Sequence, residues 1–350
     1  MAITSSWTRR QTITIDHTKV TSGAHSDFPV LIADGNFLAD LYTNAKSDGS
    51  DLRFTSDASG TTELSFEIVS FTPGSSLSEV WVKIPSLSSS TDTVIYVWYG
   101  NSSASAYAAT DTYGSRNVWT NGYRAMWHLK TDNDSTSNAY TLSETGSQAF
   151  AAAKVGNGKD FQGGRTQNNS IANFGATDEF TVGAWIKSDS ITTAQDIHSK
   201  QDGSTRNFEL AIYSSKVFFS NAVAGADLSG TTTLSTGTWY FIVGIHTTAS
   251  SGSNRIMLNG SSDNNNTGTG NTGSPSANYT LGANSYNDAG GSPFDGIIDE
   301  AFILTRAATQ GEITTMYNNQ NSPSTFSTGS AGGPVIGGLS SIKSMVGFGM

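Results

Sequence analysis

The chain has 350 residues, a formal net charge of −10 and only 14% charged residues, with 37 glycines and no cysteine. The acidic balance argues against a nucleic acid or an anionic membrane as partner, because both require clustered Lys and Arg. The lack of cysteine excludes disulfides and thiolate metal sites. A chain with 10% aromatic residues and so few charged residues is not typical of disordered proteins. The length predicts two or three domains, at roughly 100–200 residues each.

Residues 1–105 alternate apolar and polar side chains in short runs, a pattern typical of half-buried β-strands. The clearest runs are Gln11–Asp16, Glu79–Pro85 and Thr93–Tyr99, of which the last is rich in β-branched and aromatic residues. Polar turn clusters such as Ser47–Ser50 separate these runs. Short strands joined by polar turns predict an antiparallel β-sandwich or jelly roll.

Residues 106–122 are dominated by Ala, Ser, Thr, Gly and Asn, and this change of composition predicts a linker. Strand patterns return at Tyr123–Leu129 and continue to Gly296–Ile303, which predicts a second sandwich over residues 123–320. The remaining residues, 321–350, are expected to form a Gly/Ser-rich apolar tail. The predicted fold class is therefore all-β: two tandem antiparallel β-sandwich (jelly-roll) domains and a Gly-rich C-terminal tail.

One helix is expected near the end of the second block, from Thr309 to Asn318. Thr309 is a suitable N-cap residue, and Glu312 stands at the third helical position. This spacing completes the capping-box pattern, in which the two side chains satisfy backbone N–H groups at the start of a helix.

Four tryptophans lie within strand patterns and are predicted to be buried. Aromatic residues flanked by β-branched neighbours fill the cores of such sandwiches. We expect Trp81 and Trp98 to lie in neighbouring strands of the first sandwich, and Trp185 and Trp239 to lie in the second.

Three segments of the second block resemble the sequence patterns of laminin-G-like, concanavalin A-type lectin domains. They are the strand Phe180–Lys187, the pair formed by Trp239 and Ile256–Gly260, and the closing run Phe294–Arg306 with Glu312–Tyr317. The closing run is long and specific. The resemblance covers about residues 123–320 and implies a concanavalin A-type jelly roll.

The first block resembles an uncharacterised β-domain that often precedes laminin-G-like domains in bacterial, archaeal and phage proteins. Five segments of the first block agree with the pattern of that family in order and spacing. They are Trp7–Arg10, Asp51–Phe54, Glu63–Glu67, Val80–Pro85 and Ile95–Asn101. Because that family has no settled activity, this resemblance supports an architecture and implies no chemistry.

The sequence carries no recognisable catalytic constellation. Glycan-cleaving relatives of the concanavalin A fold have Glu-x-Asp-x-x-Glu on one strand, where alternation places the first two carboxylates on one face. Asp299-Glu300 is the nearest match, and adjacent residues of a regular strand point to opposite faces. The five histidines lack zinc-motif spacing, and no Gly-x-Ser-x-Gly marks a nucleophile. We therefore expect no catalytic residue and no enzyme.

Calcium is the one cofactor that the resemblance suggests, because laminin-G-like domains often bind it through hard oxygen ligands. Asp132, Asp134 and Asn138 lie where the family has an Asp/Asn-rich loop, and Asp299 lies in the closing strand, which runs close to the first strand in this fold. These four residues form a candidate structural calcium site. The alternative is an ordinary Asx-turn loop with a solvated aspartate.

Glycan sites in lectin-like sandwiches pair an aromatic platform with Asn and Asp hydrogen-bonding groups. Asn284, Tyr286, Asn287 and Asp288 have this chemistry, and the polar loop Asp263–Asn266 offers further hydrogen bonds. We take the first four as candidate glycan-binding residues. The alternative is an ordinary polar loop, since many β-loops contain Asn and Tyr.

The segment 334–350 places apolar side chains among Gly and Ser, which is too apolar for a solvated linker and too Gly-rich for a stable lone helix. We expect it to dock on another subunit or another virion protein, and the alternative is that it folds back on its own chain. The candidate assembly residues are Val335, Ile336, Leu339, Ile342, Met345 and Phe348.

These observations favour a non-catalytic structural or attachment protein of a virus particle, such as a bacteriophage capsid decoration or tail-fibre component. The chain opens directly on a strand pattern without a secretion leader, so we expect synthesis in the host cytoplasm and a place on the virion surface. Expected partners are other virion proteins, copies of the chain itself and a cell-surface glycan. The alternative is a secreted prokaryotic adhesin or the carbohydrate-binding module of a glycan-degrading system, located extracellularly or on the cell surface.

Overall fold

The computed structural model of the chain is built mainly from antiparallel β-strands, which confirms the predicted fold class. It describes residues 3, 6–72, 78–203, 205–221, 227–248, 253–266, 272–286 and 291–332. No helix within these residues is long and apolar enough to cross a membrane.

The N-terminal block contains two sheets and one short helix, α1 (Ala39–Asn44). Its strands are β1 (Arg9–Ile15), β2 (His25–Ala33), β3 (Arg53–Thr55), β4 (Glu63–Leu64), β5 (Phe66–Ser70), β6 (Glu79–Leu87) and β7 (Thr93–Tyr99). Strands β2, β6 and β5 form a three-stranded sheet, with β6 in the centre. The other four strands belong to a five-stranded sheet that packs against it.

The second block forms an eight-stranded and a seven-stranded sheet, and its chain then continues through two helices into a last strand. Its elements are β8 (Tyr123–Trp127), β9 (Ser143–Thr145), β10 (Ala149–Ala152), β11 (Asn157–Asp160), β12 (Arg165–Asn168), β13 (Phe180–Ser188), β14 (Gln195–Gln201), β15 (Arg206–Tyr213), β16 (Lys216–Ser220), β17 (Leu228–Ser229), β18 (Trp239–Thr247), β19 (Ser253–Leu258), β20 (Ser261–Asn265), β21 (Tyr279–Leu281), β22 (Gly296–Leu304), α2 (Gln310–Asn321), α3 (Pro323–Phe326) and β23 (Ser327–Ala331). The eight-stranded sheet has the order β10-β11-β22-β13-β18-β19-β20, with β8 also paired to β22. The seven-stranded sheet has the order β17-β16-β15-β14-β21-β12-β9.

One hydrophobic cluster fills the second sandwich, and the other joins the two sandwiches. The joining cluster starts in the core of the first sandwich and continues onto the outer face of the eight-stranded sheet through Trp185, Phe241 and Phe302. It also includes Ile313 and Met316 of α2. The interface between the sandwiches is therefore a packed apolar core in its own right.

Strand β6 explains how the first sandwich contributes to this interface. Its residues alternate, so that Val80 and Val82 fill the first core while Glu79 and Trp81 point the opposite way. Both of these outward residues are only 1% exposed, because the second sandwich covers them.

The end of the chain returns to the first sandwich, in contrast to the predicted tail at 321–350. Strand β23 pairs with β1 from Gln11–Ala331 to Ile15–Ser327, which makes it an edge strand of the five-stranded sheet. Helix α2 starts at the predicted N-cap, with the Thr309 hydroxyl accepting from the Glu312 N–H at 3.1 Å, and ends at Asn321. Long-range pairing with β1 determines this outcome, and no local pattern encodes it.

The predicted linker at 106–122 also differs from the structure, because much of it is packed. Val118 and Trp119 are 0% and 3% exposed, and the Tyr107 hydroxyl donates to Glu63 at 2.7 Å. The segment is mostly polar in composition, but a few of its apolar residues are buried at the interface between the sandwiches.

The tryptophan predictions are correct for burial at three of four positions. Trp81, Trp98 and Trp185 are each 1% exposed, whereas Trp239, at the first position of β18, is only partly buried. The expectation that Trp81 and Trp98 lie in neighbouring strands is wrong, because β6 and β7 belong to different sheets. Trp98 lies beneath the Arg10 guanidinium.

We expect Trp185→Ala to lower the free energy of unfolding by about 3–5 kcal/mol, since it would leave a large cavity. The indole stacks on Tyr317 of α2 with ring centres 5.6 Å apart and donates to Gln320 at 2.6 Å. Urea unfolding measures the loss of unfolding free energy. Trp239→Ala is the matched control, and we expect it to lose less than half as much unfolding free energy. Equal losses for the two variants would contradict the packing described here.

Candidate functional site

The side chain of Tyr286 forms an exposed aromatic platform on the second sandwich. Its exposed fraction is 47%, second to the 54% of Phe150 among the large apolar side chains that the structure describes as exposed. The ring lies directly over Gly203, where a Cβ atom would overlap it, and Gly203 has a φ of +80°. Only glycine satisfies both the backbone conformation and the close approach.

The residues before Tyr286 anchor this platform to strand β14. The hydroxyl of Ser285 accepts from the N–H of Gln201 at 2.6 Å and donates to its carbonyl at 2.9 Å. Asn284 accepts from the Tyr286 N–H at 2.7 Å through Oδ1. Its Nδ2 has no hydrogen-bond partner among the described residues, so this donor is available next to the ring.

Two of the four predicted glycan-binding residues are thus brought together, and two are not described. Asn284 and Tyr286 lie side by side on the anchored loop. Asn287 and Asp288 lie outside the described residues. The predicted loop Asp263–Asn266 lies mostly in strand β20, where the Asp263 carboxylate accepts from the backbone of residues 231 and 232.

A buried carboxylate pair on the same sheet escaped the sequence analysis. Asp196 of β14 and Glu209 of β15 alternate with residues of the sandwich core, so they lie on its outer face, yet both are 0% exposed. The Tyr213 hydroxyl donates to Glu209 at 2.6 Å, and Arg206 pairs with Glu209 at 2.8 Å. Burial, and then the neighbouring charge of Glu209, raises the pKa of Asp196 well above its ordinary value.

This pair is separated by thirteen positions on two strands, so no contiguous motif could reveal it. The only signal is a carboxylate between apolar residues, as in Phe208-Glu209-Leu210. Both side chains are fully buried in this structure and are not accessible to a substrate from solvent.

A second polar cluster lies between the two sandwiches and depends on a β-bulge in β22. Glu300 has a φ of 50°, and the register between β13 and β22 shifts between Gly183 and Trp185. The extra residue brings the carboxylates of both Asp299 and Glu300 into electrostatic contact with Lys130. The expectation that these two adjacent side chains point to opposite faces is therefore wrong.

His128 is the centre of this interdomain cluster, which consists of Glu67, Glu79, His128, Lys130, Asp299 and Glu300. The imidazole Nδ1 lies 2.9 Å from both carboxylate oxygens of Glu300, and Nε2 lies 3.3 Å from Glu67. Lys130 pairs with Glu79. Carboxylates of the first sandwich thus meet cations of the second.

Two indoles complete the hydrogen bonding of these carboxylates. Trp81 donates to Glu79 at 3.0 Å, and Trp119 donates to Glu67 at 2.5 Å. Their rings also pack within 5.7 Å of the imidazole of His128, centre to centre. Buried carboxylates that are paired and hydrogen-bonded in this way avoid most of the cost of losing water.

Electrostatics gives His128 a positive charge. Burial alone would lower its pKa, but the charges of Glu300 and Glu67 outweigh it and raise the pKa of His128 to about 10. Burial, followed by the charge of Glu300, raises the pKa of Asp299 well above its ordinary value. The cluster therefore contains a cationic imidazole at neutral pH.

The four predicted calcium ligands have separate partners. Asp132 pairs with Lys159, and Asn138 donates to a backbone carbonyl. Asp134 accepts from the backbone N–H of Met126 in β8 and from two N–H groups of its own loop. Asp299 accepts from a backbone N–H at 2.7 Å. Within the described part of the chain their carboxylates form no common cluster. Asp134 accepts from the Thr136 N–H as in an Asx turn, but Asp299 is fully buried and is not the solvated aspartate of the alternative. The calcium site stays a prediction.

Among the described residues, two other side-chain groups each place three possible metal-ligand atoms within 4.8 Å of one another. They are Asp16 with His17 and Asp92, and Glu79 with His128 and Glu300. In the second group the protonated His128 and the neighbouring Lys130 already supply positive charge.

The predicted assembly residues, from Val335 to Phe348, lie outside the described residues.

Sequence comparison assigns families to both blocks. Residues 160–314 match the concanavalin A-like lectin/glucanases superfamily, and residues 48–114 match a domain of unknown function (DUF2341). The first of these matches lies within the second sandwich and agrees with the laminin-G-like resemblance of its sequence. The DUF2341 match confirms the family resemblance of the first block, and no curated protein matches the chain.

Solved structures similar to the chain include domain 4 of AbnA, an extracellular GH43 arabinanase from Geobacillus stearothermophilus, solved with arabinotriose (20% identity, TM-score 0.45, 56% of this chain and 98% of that one). Another is the binding domain of botulinum neurotoxin serotype G, with 11% identity and a TM-score of 0.43 over 56% of this chain and 50% of that one. A third is the binding domain of Paraclostridial Mosquitocidal Protein 1, with 12% identity and a TM-score of 0.44 over 56% of this chain and 52% of that one. The chain spans about half of the length of these two toxin domains.

The interdomain cluster predicts a fall in stability at alkaline pH. Because the pKa of His128 is raised from 6.5 to about 10 in the folded chain, its contribution is fully present below pH 6.5 and is lost as the pH rises through 10. Melting temperatures between pH 6 and pH 10 measure this loss. His128→Gln should flatten the dependence and the surface variant His17→Gln should keep it, whereas a wild-type profile without slope would contradict the assignment.

Proposed function

We propose that the chain is a non-catalytic glycan-binding protein that uses Tyr286 of its laminin-G-like domain as a stacking platform. The observation that carries this proposal is the exposed ring seated on Gly203. An aromatic ring that is held in place offers a flat apolar surface to the C–H face of a sugar, without a large loss of side-chain entropy on binding.

The side-chain amide of Asn284 supplies the polar half of the same site. Its Oδ1 is used within the loop, and its Nδ2 has no described partner. A sugar stacked on Tyr286 can therefore accept a hydrogen bond from this group. The match of residues 160–314 to the concanavalin A-like lectin/glucanases superfamily supports a carbohydrate as the ligand.

Two features support a binding role without catalysis. Asp196 and Glu209 are both fully buried, whereas glycoside hydrolysis needs two carboxylates that flank the scissile bond. The carboxylates of the interdomain cluster are occupied by indole, imidazole and ammonium groups.

We further propose that the chain displays this domain on a virus particle, with a cell-surface glycan as the target. Strand β23 is an edge strand of the five-stranded sheet and ends at Ala331, so the apolar segment 334–350 follows directly from an outer edge of the first sandwich. This position favours docking on a neighbouring subunit. The rival role is a secreted adhesin or carbohydrate-binding module.

Tyr286→Ala should weaken glycan binding by at least tenfold, which corresponds to about 1.4 kcal/mol. A glycan array identifies the ligand, and calorimetry measures its Kd. Gly203→Ala should have a similar effect, because it displaces the ring while leaving Tyr286 in the sequence. Phe150→Ala, on the other sandwich sheet, is the matched control, and an equal loss for Phe150→Ala would contradict the proposed site.

Truncation after Gly332 should leave a folded chain that no longer enters virus particles. The cut must follow Ala331, because Ser330 and Ala331 pair with β1. Circular dichroism checks the fold, and mass spectrometry of purified particles measures incorporation. Normal occupancy of the truncated chain would place the assembly contact elsewhere, and absence of the intact chain from particles would favour the secreted role.

A further inference from the structure

A polar cleft of about 460 Å³ opens between the two sandwiches, in front of the interdomain cluster. One side is formed by strand β5 and the turn at Ser115 and Arg116, and the other by the loop from His128 to Thr141. This volume falls in the range of small-molecule sites, which lie preferentially at domain interfaces.

The floor of the cleft is polar and fixed in position. Glu67 and His128 line it, and each is held by several partners. The Ser135 hydroxyl donates to one oxygen of Glu67 at 2.7 Å, and the Trp119 indole donates to the other at 2.5 Å. A floor with so many internal partners needs little reorganisation when a ligand arrives.

Arg116 on the wall is the unusual residue. Its side chain is partly buried, and its guanidinium has no hydrogen-bond or ion-pair partner among the described residues, although the chain carries a net charge of −10. The side chains of Ser115, Asn133 and Thr141, which also line the cleft, likewise have no such partner within the described ranges. Lys130 and Asp134 also line the cleft, but each already has a partner, Glu79 for Lys130 and backbone N–H groups for Asp134. Among the described lining residues, Arg116 is therefore the cation that remains for a ligand, together with several neutral hydrogen-bonding groups.

The cleft also has an apolar side, formed by Ile68, Val69, Ala109 and Ala139. A ligand that fits must therefore combine an anionic group, several hydroxyl groups and an apolar C–H face. A simple inorganic anion would leave the apolar side and most donors unused. A neutral sugar would leave the guanidinium unpaired.

We propose that this cleft binds a carboxylate-bearing sugar, namely a hexuronic acid residue. Its carboxylate pairs with Arg116, since the planar guanidinium matches carboxylate geometry with two parallel hydrogen bonds. Its hydroxyl groups face Asn133, Ser115 and the floor, which keeps the carboxylate away from Glu67. This site is separate from the Tyr286 platform and does not depend on the proposed function.

The test is calorimetry of the full chain with glucuronate and galacturonate, their methyl esters and acetate. The free acids should bind at least tenfold more tightly than the esters or acetate. Arg116→Gln should abolish this preference, and Arg116→Lys, which keeps the charge but loses the planar fork, should reduce it. Arg9→Gln, which removes an equal charge on the other sheet of the first sandwich, should leave it unchanged.

Three results would overturn the proposal: equal affinity for acids and esters, acetate binding as tightly as the uronates, or an Arg116→Gln variant with wild-type affinity. A measurement without substitution is the shift of the His128 ring protons in NMR spectra, which should respond to uronate because this ring lines the cleft. Tyr286→Ala should retain uronate binding; its loss in that variant would move the uronate to the platform and end the proposal for the cleft.

Discussion

The burial of four carboxylates between two sandwiches is the constraint on which the architecture depends. Glu67 and Glu79 come from the first sandwich, and Asp299 and Glu300 from the second. Unpaired charges in such a place would cost several kcal/mol each. His128 and Lys130 offset this cost only when the two sandwiches are docked, because each cation contacts carboxylates of the opposite sandwich. The same contacts therefore fix both the protonation of His128 and the position of the sandwiches.

The C-terminal elements of the described chain return to the first sandwich and stabilise this arrangement. Strand β23 completes the sheet of the first sandwich, and α2 packs between the sandwiches, where Asn319 makes two hydrogen bonds to the backbone of Leu31, at 2.7 and 3.0 Å. The first sandwich thus contains both ends of the described chain. This topology makes the two blocks one mechanical unit, although their sequences belong to different families.

The rigid junction places two chemically different surfaces on one molecule. The Tyr286 platform lies over the seven-stranded sheet and combines an aromatic face with an amide. The interdomain cleft combines a guanidinium with hydroxyl and amide groups. Under the two proposals, the first surface takes a neutral sugar and the second takes an acidic sugar, so the protein would recognise two features of one polysaccharide.

The sequence by itself determined the class of fold, the resemblance of the second block to laminin-G-like domains and the N-cap at Thr309, because these depend on local periodicity, turn chemistry or contiguous motifs. Only the tertiary structure decided the cluster around His128, the pair Asp196 and Glu209, and the pairing of β23 with β1. Their partners lie far apart in the chain, as His128 and Glu300 do, and a single bulge reverses the face that alternation assigns to a side chain. Electrostatic and packing contacts of this kind depend on distance in space, and local sequence patterns do not encode that distance.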